Sequence, residues 1–210
     1  MAKIPYGING PIVGGVGSVV GSSWKGEPHI KKKYKKRKKD VTKTELGNRS
    51  KFGEGQRWLQ PITDFVRTGF RGYTERIEGF LAAKSYLSKY AWEGTGADMR
   101  INPALMKVSV GKLPLSNDIA VEKKEDGSLL FTWSTEAVPG GSRFDQVMML
   151  AYDIEKGQAL GVSTGQLRST GSDTLPMPPI KGATLHIYMA FNGFDRTTQS
   201  DSVYMGAISY

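Results

Sequence analysis

Between Lys31 and Lys39 the chain reads Lys-Lys-Lys-Tyr-Lys-Lys-Arg-Lys-Lys, eight cationic side chains in nine positions. A block of like charge repels itself and cannot enter a packed core, so it stays solvated or meets a polyanion. The whole chain has 29 basic and 20 acidic residues, a formal charge of +9, and this run alone supplies eight of the cations. Residues 1–96 hold 19 basic against 8 acidic side chains, whereas residues 97–210 hold 10 against 12. The candidate polyanion-binding residues are therefore Lys31, Lys32, Lys33, Tyr34, Lys35, Lys36, Arg37, Lys38 and Lys39.

Four partners suit such a strip. Neutralising phosphates with release of counterions gives salt-dependent, sequence-independent nucleic-acid binding, and Tyr34 adds a ring able to stack on an exposed base. Anionic lipid headgroups attract the same charges, a nuclear address has the same composition, and an acidic protein neighbour would also pair with it. No amphipathic lipid anchor adjoins the run, so nucleic acid ranks ahead of membrane.

Other chemistry finds little support. Gly15-Val16-Gly17-Ser18-Val19-Val20-Gly21 superficially suggests a dinucleotide loop, but its second and third glycines stand one residue too far apart and no acidic residue follows at the required distance. Glu75 and Glu78 would share a helical face, flanked by Arg71 and Arg76, which reads as surface ion pairing. His29 and His186 are the only histidines, and there is no cysteine. Thiolate metal sites, disulfides and cysteine nucleophiles are thus excluded, and a serine nucleophile lacks a recognisable base. The expectation is a non-enzymatic protein without metal, cofactor or small-molecule substrate.

The elements that must position the strip fall into three regions. Residues 1–40 form an arm: seven glycines between Gly7 and Gly26 interleave with Ile8, Ile12, Val13, Val16, Val19, Val20 and Trp24. This predicts extended backbone that gains stability by lying on another surface. Trp24 has no local core and is the candidate arm anchor, filling a pocket of the protein or of a neighbour.

Residues 41–96 predict helix in two or three pieces and a linker. Thr42 or Thr44 caps the start, and Pro61 begins or kinks a segment. Leu59, Ile62, Val66, Phe70, Tyr73, Ile77, Phe80 or Leu81, and Lys84 define one face. Arg49, Lys51, Arg57, Arg67, Arg71 and Arg76 make the other face basic. The linker Glu93-Gly94-Thr95-Gly96-Ala97-Asp98 then marks a boundary.

From residue 97 to 210 the period changes to two. Strands are expected at Ala104–Val110, Ile119–Lys123, Ser128–Ser134, Phe144–Tyr152, Ala159–Ser163, Thr184–Asn192 and Ser202–Ile208, separated by glycine and proline turns. Short strands without intervening helices predict an antiparallel sandwich. At 39% hydrophobic and 10% aromatic the chain can fill a core. The start of the chain lacks a signal peptide's apolar stretch and no segment reaches the length of a membrane span, so a soluble cytoplasmic or virion-associated protein is expected.

Gly127-Ser128-Leu129-Leu130-Phe131-Thr132-Trp133-Ser134, Leu185-His186-Ile187-Tyr188-Met189-Ala190-Phe191-Asn192 and Ser200-Asp201-Ser202-Val203-Tyr204 resemble the second, sixth and last strands of a fibronectin type III or immunoglobulin-like module. The cysteine pair of antibody domains is missing. Val16-Gly17-Ser18-Val19-Val20-Gly21-Ser22-Ser23-Trp24-Lys25-Gly26, with the basic stretch and Arg49-Ser50-Lys51-Phe52, resembles a family of short, uncharacterised bacterial proteins. The architecture is also similar to phage and other assembly proteins in which an arm precedes a sandwich. The fold expected is therefore α+β: an extended N-terminal arm, a short helical region and a C-terminal antiparallel β-sandwich, immunoglobulin-like. The function expected is a virion-like or fibre-like structural protein whose arm and sandwich contact other subunits, as a homo-oligomer or larger assembly, while the strip binds nucleic acid non-specifically. A monomeric nucleic-acid-binding accessory protein is the alternative, and an enzyme with an unrecognised site the third.

Overall fold

The computed structural model describes residues 3–7, 10–24, 26–35, 40–74, 77–94, 98–179 and 182–210. The chain divides into two compact units, Met1–Glu45 and Leu46–Tyr210.

In the first unit, β-branched residues between glycines form strands β1 (Gly14–Val16), β2 (Val19–Trp24) and β3 (Glu27–Lys32). They make an antiparallel meander in the order β1-β2-β3. This corrects the extended arm in one respect: it folds back on itself twice, and Lys31 and Lys32 belong to its last strand. The reversals need residues free to leave the β region, and Gly26 at the second has φ +86°. Gly21 permits a close crossing, since a Cβ there would lie 1.8 Å from the Ile12 carbonyl oxygen. Lys3 and Val13 exchange both backbone hydrogen bonds, at 2.8 and 2.9 Å. Gly21 is the one buried residue among those described in this unit, so backbone ladders rather than a side-chain core hold it.

In the second unit, α1 (Lys43–Leu59), whose first three residues belong to the first unit, leads through a 3-10 turn at Gln60–Ile62 into α2 (Thr63–Gly69), followed by α3 (Gly79–Tyr90). Thr42 supplies the expected cap, its Oγ1 accepting from the Glu45 backbone N–H at 3.3 Å. Pro61 sits where its missing donor costs least, in the first turn of a new segment. Leu59, Ile62, Val66 and Phe70 are buried as expected, but Tyr73, Ile77 and Leu81 are exposed. The predicted face is interrupted because α2 ends at Gly69; in α3 the expected Lys84 is buried and Phe80 half-buried against the core, joined by Ala82, Ala83 and Leu87, which the pattern did not include.

A short hairpin, β4 (Trp92–Glu93) with β5 (Arg100–Ile101), follows. Then β6 (Ala120–Lys123), β7 (Leu129–Thr132) and β10 (Ser172–Leu175) form one sheet in the order β10-β7-β6. Strands β8 (Gln146–Asp153), β9 (Gln158–Val162), β11 (Thr184–Asn192) and β12 (Val203–Ser209) form a second, in the order β12-β11-β8-β9. Both are antiparallel. The expected α+β chain with a C-terminal β-sandwich is what forms.

Residues of β8 and β11 alternate between two cores. Met148, Leu150, Tyr152, Tyr188 and Ala190 pack with Trp58, Leu59, Phe65, Val66 and Leu87 of the helices. Val147, Met149, Ala151, Ile187, Met189 and Phe191 pack with Leu129, Phe131 and Trp133 of the opposing sheet. Three layers result, helices on sheet on sheet. The boundary expected at the 93–98 linker is thus not a division of the core; residues 95–97 themselves lie outside the described residues.

Two strand assignments are corrected. Ala104–Val110 alternates correctly, burying Met106 and Val108, but forms no strand. Its backbone bonds go to Ser202 Oγ, from the Val108 N–H at 2.9 Å, and to the Gly69 carbonyl, from the Val110 N–H at 2.9 Å. In its place β10 completes the three-stranded sheet, pairing Ser172-Asp173-Thr174-Leu175 with β7.

Candidate polyanion-binding site

Directly opposed residues of an antiparallel pair share a face. On one face of the N-terminal sheet Trp24 stands opposite Glu27, Ser22 opposite His29, and Val20 opposite Lys31. The other face carries Val19 opposite Lys32, Gly21 opposite Ile30, and Ser23 opposite Pro28, with Val16 beside Val19. The Lys33 N–H donates to the Ser18 carbonyl at 2.8 Å, carrying the pairing one residue past β3.

Lys31, Lys32, Lys33, Tyr34 and Lys35 are all exposed, Tyr34 to 83%. Among the described residues no carboxylate pairs with Lys31, Lys32, Lys33 or Lys35. The remainder of the strip, Lys36, Arg37, Lys38 and Lys39, lies outside the described residues. Residues 1–45 hold 11 basic and 3 acidic side chains, +8, leaving +1 for the other 165. The charge imbalance thus resides in the unit whose described residues form no side-chain core.

Trp24 is 63% exposed and Ile30 60%. Among the described residues of its own unit no buried side chain surrounds Trp24. The grouping of His29 with Trp24 and Lys31 was missed in reading the sequence; the polar–apolar alternation of Glu27-Pro28-His29-Ile30-Lys31, paired against Val19–Trp24, is the signal that would have found it.

The rest of the chain offers less chemistry. The glycine-rich segment at 15–21 is two strands and a turn, without the helix N-terminus that a phosphate loop requires. His186 lies in β11 with Nδ1 2.9 Å from the Tyr204 hydroxyl, its ring stacked on that phenol. Burial lowers its pKa, and the negative charge of Asp153 partly opposes this. Glu75 and Arg76 lie outside the described residues, and Glu78 precedes α3. A surface cavity of about 350 Å³ between Arg71, Tyr73, Lys112, Thr197 and Gln199 contains neither histidine nor carboxylate to act as a base. Among the described residues no three metal-ligating side chains converge, and no helix is long and apolar enough to cross a membrane.

Comparison with curated proteins and with solved structures returns no match. The model of a family of unknown function, DUF6266, matches residues 11–206, taking in the N-terminal sheet, the helices and nearly all of the sandwich; the chain belongs to this family.

Proposed function

We propose that this is a non-catalytic binding and assembly protein whose N-terminal unit holds a polyanion, foremost nucleic acid, while the near-neutral body makes protein contacts. One observation carries the reading: residues 1–45 carry a formal charge of +8, and among the described residues of that unit only Gly21 is buried. Such a unit gains little from folding on its own account, and its exposed ammonium groups are opposite in sign to a phosphate chain. The strand order β10-β7-β6 against β12-β11-β8-β9 supports reading the body as an immunoglobulin-like module of the fibronectin type III kind, an architecture used widely as a contact platform.

The test is direct binding of a fluorescent oligonucleotide to the full chain and to a variant with Lys31, Lys32, Lys33 and Lys35 all changed to Gln. Affinity lost in the variant supports the reading; equal affinity in both removes Lys31, Lys32, Lys33 and Lys35 from it.

A monomeric accessory protein is the second reading, and one feature favours it. Strand β3 is an open edge carrying Lys31 and Lys32, and lysines on an edge discourage strand addition between copies. Light scattering coupled to size exclusion separates the two: a monomer at all concentrations selects the accessory protein, and a defined oligomer the assembly protein.

A further inference from the structure

We infer that the ligand of the N-terminal sheet is single-stranded nucleic acid, its bases stacking on Trp24 and His29 and its phosphates lying along Lys31 and Lys33. This rests on the polyanion reading above and adds the strandedness of the ligand.

The register sets the argument. From the hairpin end, one face presents Trp24 with Glu27, then Ser22 with His29, then Val20 with Lys31. Two aromatic rings and a cation therefore occur at successive two-residue steps, each about 6.6 Å along a strand, comparable to the separation of nucleotides in an extended single strand. Trp24 is well exposed and makes no ring–ring or cation–ring contact among the described residues. A large apolar ring held in water at the tip of a hairpin gains most by covering its face with another flat surface.

Charge along the face is graded. Glu27 repels phosphate from the Trp24 end and can accept a hydrogen bond from a base amino group. Lys31, and Lys33 just past the strand, attract phosphate at the other end. Bases of a duplex are already stacked and paired, so they cannot cover Trp24, whereas every unpaired base has a free π-face. Charge alone would serve either form of nucleic acid; the indole makes the distinction.

The experiment uses the full chain with two fluorescent probes, an oligothymidylate of about 12 nucleotides, within the usual site-size range, and a blunt duplex of the same length. Wild-type protein binds the single strand more tightly than the duplex. Trp24→Ala weakens single-strand binding by roughly 5- to 150-fold and leaves duplex binding unchanged, while Trp24→Phe restores part of the loss. Because Trp24 is exposed, neither substitution removes core packing, and circular dichroism verifies that both variants fold. If Trp24→Ala has no effect, or weakens both probes equally, stacking is wrong while polyanion binding stands. If wild-type protein binds neither probe, the underlying reading falls too.

Discussion

The Arg168 guanidinium and the Asp145 carboxylate form an ion pair inside the sandwich, Nη2 to Oδ2 3.2 Å, with both side chains almost wholly buried. Nη1 donates to Ser116 Oγ at 2.9 Å and Nη2 to the Pro114 carbonyl at 2.8 Å, and the cation lies 4.0 Å from the centre of the Phe191 ring. Asp145 also accepts from the backbone N–H groups of Ser142 and Phe194. Trp133 closes the cluster, its indole N–H donating to the Arg168 carbonyl at 2.7 Å and its ring packed edge-on against Phe191. One ion pair thereby ties together the segments that precede β6 and β8, the turn before β10 and the loop after β11.

Removing one partner of a buried pair strands the other. Asp145→Ala is expected to cost about 3–5 kcal/mol in urea unfolding followed by near-ultraviolet circular dichroism. A loss under about 1 kcal/mol, the range of surface pairs, would show that the pair is not what fastens this end of the sandwich.

Two buried phenols link stability to alkaline pH. Tyr152 donates to the Trp58 carbonyl at 2.7 Å and Tyr188 to the Pro103 carbonyl at 2.8 Å. Burial, with a smaller contribution from Asp153, pushes Tyr152 from 10.0 up to about 12, and burial pushes Tyr188 up further. The folded state therefore keeps protons that the unfolded chain releases near pH 10, and the unfolded state gains as pH rises above that value. Stability is expected to be unaffected by these groups below about pH 9 and to fall from pH 10 through about 12. Unfolding midpoints measured across that window check it, with Tyr152→Phe reducing the slope.

Two glycines in helices should respond oppositely to alanine. Gly53 in α1 faces open space, so Gly53→Ala is expected to stabilise by about 0.5–1 kcal/mol through backbone entropy and helix propensity. At Gly69, the last residue of α2, a Cβ would lie 2.3 Å from the Val108 carbonyl oxygen and 2.9 Å from Ser109 Cα. There the same change must push away the segment whose Val110 N–H bonds to the Gly69 carbonyl, and it is expected to destabilise by about 1–3 kcal/mol. Thermal unfolding of both variants decides; a stabilised Gly69→Ala would contradict this docking of helix layer on loop.

The helices and most strands were legible because their signals are local. The run Thr184–Asn192 is β11 to the residue, and Pro61 and Thr42 placed the helix breaks and start. Strand β10 was hidden because Ser172, Asp173 and Thr174 are polar and only Leu175 is fully buried. Ala104–Val110 imitated a strand because Met106 and Val108 bury on alternate positions while the hydrogen bonds go to a side chain and a helix end. The third layer did leave a trace: Val147-Met148-Met149-Leu150-Ala151-Tyr152 is an unbroken apolar run, the mark of a strand covered on both faces, and each of its residues is buried. For the candidate site, the strip was plain from composition, but the shared face of Trp24, His29 and Lys31 depends on a hairpin register that no composition reveals.

The salt dependence of binding tests the central claim most directly. With the full chain and a short oligothymidylate, the slope of log K against log salt should be roughly −3 to −6, from about 0.7 per neutralised phosphate over four to eight contacts. Changing Lys31, Lys32, Lys33 and Lys35 to Gln should make that slope shallower by roughly 3. A slope near zero, or one that the variant leaves unchanged, would contradict polyanion binding by this sheet.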